Sequence, residues 1–164
     1  MAIQRLVLDD VIDDDYELIA VHSSIATYRL AFILNKHLDL RLFRKKEDIN
    51  FEHETHTASF PMFQYHDQFR YNMYSLLGNK FKTKIKSDTI AAEGLFASTA
   101  AERAITEYLI PELKNVDYFL KVEAETSQFS SKALIENLLT IPQIVTAYAV
   151  DYTQLKSKNN LIFE

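Results

Sequence analysis

The chain has no cysteine and no tryptophan, and only two glycines and three prolines in 164 residues. Without cysteine there can be no disulfide, no thiol nucleophile and no thiolate metal site. A reducing compartment suits such a chain. At an average usage of ~7%, glycine would number about eleven, yet only Gly78 and Gly94 occur. Phosphate-cradling loops need clustered glycine, because the backbone must approach the anion and visit positive φ. A Walker loop, a dinucleotide fingerprint and a G-x-S-x-G nucleophile elbow are therefore excluded. A long apolar run is missing too. In the first expected helix the longest is Leu30 to Leu34, far short of the roughly 20 residues that span a bilayer. Met1 to Arg5 leads through Leu6-Val7-Leu8 into aspartates, without the apolar stretch and cleavage site of a signal peptide. A soluble, cytoplasmic protein that does not engage a membrane is expected.

What is present is ordinary for a globular chain: 48% apolar and 25% charged residues. Such a chain fits one domain over 1–164, or two similar halves at about 1–86 and 99–164 with a loose connection at 87–98. The net charge of −5 argues against a surface that coats nucleic acid.

Arg5 to Leu8 reads as a short strand, and the five aspartates between Asp9 and Asp15 as a solvated turn. They lack the spacing and glycine of a calcium loop. Tyr16 to His22 is a strand apolar on both faces, with Leu18 and Ala20 on one and Ile19 and Val21 on the other. That pattern predicts a central strand. Ser23 and Ser24 offer an N-cap to a helix ending near His37 or Leu38. Its apolar arc is wide: Ile25, Tyr28, Phe32 and Asn35 form one stripe, and Leu30, Ile33, Leu34 and His37 a second. Leu40 to Phe43 alternates into another strand. From Asn50 to Phe81 there is no helical period, and an antiparallel meander is expected with a turn at His66-Asp67-Gln68. Thr99 to Ile110 fits a helix or a strand. Val116 to Ala124 predicts a strand. Ser130 or Ser131 then caps a helix whose apolar face is Leu134, Ile135, Leu138 and Leu139, ended by Pro142. Gln143 to Tyr152 predicts the last long strand. Asp15-Tyr16 and Asp117-Tyr118 each open a strand, a serine-capped helix and a strand, which suggests a pseudo-repeat. The expected fold is α+β: a two-layer sandwich, mostly antiparallel sheet, with two main helices in strand–helix–strand units.

The run Ile110-Pro111-Glu112-Leu113-Lys114-Asn115-Val116-Asp117-Tyr118 reads I-P-E-x-x-x-V-D-Y without a mismatch. It resembles the bacterial family named after this signature, the IPExxxVDY family. The length, Tyr28 to Lys36 and the ending Lys158-Asn159-Asn160-Leu161-Ile162-Phe163 are similar to members as well. The family name records a signature and carries no mechanism. Within the signature, Pro111 fixes a bend, Glu112 is placed to cap a nearby amide, and Tyr118 sets a large ring in the core or at an interface. Glu112, Asp117 and Tyr118 are candidate binding residues. The spacing of Glu112 and Asp117 does not make them a general acid and base pair, and no catalytic residue is assigned.

His53-Glu54-Thr55-His56 has the letters of a partial zincin but not its geometry, which needs histidines at i and i+4 on a helix. Here an odd spacing in a strand points the rings to opposite faces, whereas a loop would bring them together; exposed polar residues are expected, with no metal and no cofactor. His22 lies where a strand ends and a helix begins, a junction where ligands gather. With Arg29 nearby, it is a candidate binding residue. Lys80, Lys82, Lys84 and Lys86 alternate, so all four project from one side of a strand with Phe81, Thr83 and Ile85 on the other. They form a candidate anion surface, or a solvent face that protects a sheet edge.

The reading these residues favour is a non-enzymatic binding or adaptor protein with a protein partner, and with a homodimer through the first helix as one form of it. Nucleic acid is not the expected partner. The alternatives are a small-molecule enzyme with a site near His22, drawing on Glu17, Arg29 or His37, and an RNA-binding protein using the lysine strand.

Overall fold

The computed structural model describes residues 15–86 and 102–163. The expected strand at Arg5 to Leu8, most of the aspartate turn and the connection at 87–98 lie outside these residues. The elements are β1 (Glu17–His22), α1 (Thr27–Leu38), β2 (Phe43–Arg44), β3 (Ile49–Glu52), β4 (Thr57–Phe60), β5 (Met62–Asp67), β6 (Asn72–Gly78), β7 (Lys80–Lys86), β8 (Glu102–Tyr108), β9 (Tyr118–Ala124), α2 (Ser131–Leu139) and β10 (Thr146–Val150). Short 3-10 turns occupy Pro111–Leu113, Tyr152–Gln154 and Lys158–Leu161.

The fold is α+β and mostly antiparallel sheet. Six strands run in the order β10-β1-β9-β6-β5-β2, every neighbouring pair antiparallel. The pairs β3–β4 and β7–β8 form two separate two-stranded ribbons. Both strand–helix–strand units belong to the six-stranded sheet. β9 and β10 run the same way on either side of β1, so the connection through α2 passes over β1.

Period-two alternation sorts the sheet's side chains into two cores. Ile19 and Val21 of β1, Leu76 of β6 and Leu120 and Val122 of β9 meet Leu30, Ala31 and Leu34 of α1 and Leu134 and Leu138 of α2. On the opposite face Leu18, Ala20, Leu77 and Phe119 pack with Ala58 and Phe60 of β4, Leu109 and Ile110, and Leu155 and Leu161 from the end of the chain. β1 therefore needs apolar residues on both sides, as its sequence has. No helix among the described residues is long and apolar enough to cross a membrane.

Several boundaries differ from expectation for identifiable reasons. α1 starts at Thr27 with Ala26 at its N-cap and no capping side chain. Ser23 does not cap it, because the Ser23 hydroxyl donates to the Gln143 carbonyl at 2.7 Å. The strand expected at Leu40 to Phe43 shrinks to two residues. Asn35 takes the Leu42 backbone in both directions, donating to its carbonyl and accepting from its amide. The β5–β6 turn falls after Asp67, whose carboxylate accepts from the amides of Phe69 and Arg70. Residues 102–108 of the ambiguous stretch are strand. β10 ends at Val150, where Asp151 accepts from the Thr153 amide and begins a 3-10 turn. At α2 the expectation holds: Ser130 accepts from the Ala133 amide.

Candidate functional site

The signature follows β8 and enters β9, and its Glu112, Asp117 and Tyr118 side chains tie distant segments together. At its centre lies Asn79, fully buried between β6 and β7. Its side-chain amide donates to the Leu113 and Val116 carbonyls at 2.9 and 2.8 Å, and its Oδ1 accepts from the Ile110 amide at 2.9 Å. Its backbone donates to the Asp117 carbonyl and accepts from the Leu109 amide. One residue thus satisfies both ends of a bend that Pro111 prevents from pairing as a strand.

Glu112 reaches the end of the chain, where its carboxylate accepts from the Ser157 amide at 2.9 Å and from the Ser157 hydroxyl at 3.2 Å. Slight burial pushes this carboxyl up, but hydrogen bonds from the backbone of Glu112, from Ser157 and from Lys156 outweigh it and hold the group below the usual carboxylate range. Asp117 accepts from the Ser23 amide at 3.0 Å with one oxygen and from Lys80 Nζ at 2.9 Å with the other. Tyr118 is buried, and its phenol donates to the Ile25 carbonyl. Burial raises its pKa, with the hydrogen bond to Thr27 opposing.

The sequence candidates thus divide. Asp117 and Tyr118 reach the segment between β1 and α1, with Lys80 held on Asp117; His22 ends β1 just before it, its Nε2 3.1 Å from the Tyr148 hydroxyl of β10. Glu112 faces the chain's end instead, and Arg29 is exposed on α1. All four lysines of β7 are exposed, with Phe81, Thr83 and Ile85 half-buried behind them. Lys80 is engaged by Asp117 and Lys84 by Glu102 at 3.6 Å. Among the described residues, Lys82 and Lys86 have no ion-pair partner.

One constellation is not signalled in the sequence, and a second is arranged differently from its spacing. Lys121 of β9 is only 3% exposed, on the second-core face of the sheet. Its Nζ donates to the Leu161 carbonyl at 2.9 Å, pairs with Glu123 at 2.7 Å, and lies 4.5 and 4.7 Å from the ring centres of Tyr16 and Phe163. Tyr16 stacks on Tyr152 at 3.9 Å. Burial, then Tyr152 and Glu123, push the Tyr16 phenol up to about 12. A cleft of about 500 Å³ opens here, lined by Tyr16, Glu17, Val122, Phe129, Asp151 and Tyr152 among others; of the residues singled out in the sequence only Glu17 lines it, and His22, Arg29, Glu112, Asp117 and Tyr118 do not.

The second is His53 and His56. They do not point to opposite faces. Strand parity holds only along one strand, and here a two-residue turn intervenes: the His53 amide donates to the His56 carbonyl, so the two flank Glu54-Thr55 and face each other. Their rings stack at 4.8 Å, and Glu107 of β8 lies beside them.

No family model matches the chain, and neither does any curated protein or solved structure.

Proposed function

We propose that the chain is a non-enzymatic binding module that holds a protein partner on the outer face of α1. The observation that carries this reading is the pair Tyr28 and Phe32. They lie one helical turn apart and are 68% and 69% exposed. Aromatic rings of this kind supply the anchors of protein interfaces. The charge around them selects the partner. α1 contains no acidic residue, and Arg29 and Lys36 are exposed on the side of the helix that carries the rings. The complement is an acidic protein surface with an apolar centre. A second copy of the chain would set this acid-free helix against itself. The signature fits the same reading as a brace, because Glu112, Asp117 and Tyr118 are spent on internal hydrogen bonds.

The test uses the tagged chain and its Phe32→Glu variant, captured from the native cell extract and sedimented alone. A stoichiometric acidic partner, weakened by salt and lost in a variant of unchanged melting temperature, is the expected result. Capture unaffected by the substitution overturns the reading, as does a variant that unfolds, because α1 would then be core on that face. A pure chain that sediments as a dimer, and as a monomer once substituted, assigns the face to a second copy instead.

A further inference from the structure

The tip of the β3–β4 hairpin meets the β7–β8 ribbon at a cluster that the binding role leaves unused. Alternation explains how it arises. Ile49, Phe51 and His53 share one face of the hairpin with His56, Ala58 and Phe60, because the register pairs Ile49 with Phe60 and Phe51 with Ala58. That face packs on the second core. Glu107 pairs with Phe81 across the ribbon, and Phe81 meets Phe60 edge-on at 6.3 Å. The two ribbons therefore pack through Phe60 and Phe81, and both imidazoles and one carboxylate come together at the rim.

Three observations give this cluster a ligand's geometry. One ligating atom from each of His53, His56 and Glu107 lies within 4.8 Å of the others. His56 Nε2 is 3.2 Å from Glu107 Oε1, close to the ~3.3 Å separating two ligands on a tetrahedral ion with metal–ligand distances of ~2.0–2.1 Å. His56 Nε2 is also buried without a hydrogen bond of adequate geometry, while its Nδ1 is held at 3.0 Å by the Thr55 hydroxyl. Metal-bound imidazoles are held in this way, one nitrogen fixed by a neighbour and the other presented. His53 is exposed, so its ring can turn out of the stack to complete the set.

We infer that His53, His56 and Glu107 bind one divalent transition-metal ion of the zinc class, clipping the hairpin tip to β8. Two imidazoles and a carboxylate suit zinc, and three protein ligands leave one position for water. The ion joins segments about fifty residues apart in sequence.

The test is equilibrium titration of the whole chain with Zn²⁺ against a chromophoric chelator, beside His53→Asn, His56→Asn, Glu107→Gln and, as a control outside the cluster, His66→Asn. The expected result is one equivalent bound, weakened about 100-fold in each cluster variant, since even outer-shell changes cost 10–100-fold, and unchanged in the control. Zinc should also raise the melting temperature of the wild-type chain alone. Should Glu107→Gln fail to fold, His53→Asn decides the matter, because His53 is exposed. Binding that survives Glu107→Gln or His53→Asn, or falls equally with His66→Asn, overturns the proposal and leaves adventitious binding by surface histidines. No binding at all overturns it too.

Discussion

Replacing Asn79 with alanine tests whether the signature is held as described. Three hydrogen bonds disappear, and two of them end on buried backbone groups, the Ile110 amide and the Val116 carbonyl. The third, to the Leu113 carbonyl, is part-buried and open to rehydration. An orphaned buried group costs about 1–3 kcal/mol, so the two together should cost about 2–6 kcal/mol. That is a large share of the ~5–15 kcal/mol that holds a domain together, and on the order of 10 °C in melting temperature at this size. Asn79→Asp separates bonding from volume. It keeps an acceptor for Ile110 but sets a carboxylate oxygen against two carbonyls, so near neutral pH it should be at least as damaging as alanine. It should recover as the pH falls and the acid becomes a donor. Urea unfolding followed by far-UV circular dichroism reads both variants, with the midpoint moving and the slope unchanged. Asn115→Ala on the exposed part of the signature is the control, expected within ~0.5 kcal/mol of wild type. If Asn79→Ala costs less than ~1 kcal/mol, the buried amide does not hold the bend and the reasoning fails.

Lys121→Met should cost about 1–3 kcal/mol, because it orphans the Leu161 carbonyl while the half-exposed Glu123 is rehydrated. It should raise amide exchange selectively at Leu161 to Phe163; exchange unchanged there would show that the ammonium does not hold the chain's end. Tyr16→Phe bears on alkaline stability. The folded phenol is raised to about 12 from 10.0, so the unfolded chain releases its proton first. Stability is therefore whole below pH 10 and falls as the pH rises toward 12. The wild-type chain should lose stability relative to the phenylalanine chain as the pH rises through that window, and parallel curves would contradict the buried phenol.

Much of the architecture is legible in the sequence because it is written in short-range periodicity. Leu18 and Ala20 against Ile19 and Val21 announce a strand buried on both faces. The lysines of β7 announce an exposed face, and Ser130 announces a helix start. What periodicity cannot carry is a choice among partners. Ser23 looks like a cap, but its hydroxyl is claimed by the Gln143 carbonyl, far along the chain. Glu112 was expected to cap an amide, and the amide is that of Ser157, which no local pattern could name. Strand parity does not carry from His53 to His56, because the turn at Glu54-Thr55 between them has no glycine or asparagine to mark it. Glu107 sits in the stretch where helix and strand patterns overlap.

The position of β1 also constrains how the molecule assembles. Both of its neighbours, β9 and β10, come from beyond residue 117. Loop closure must therefore be met across most of the chain before its backbone groups are paired, and such pairing is intrinsically slow. During synthesis β1 emerges well before β9 and β10, with apolar side chains on both faces, and waits for them. The interval between those events is when it is most exposed to the strands of other molecules.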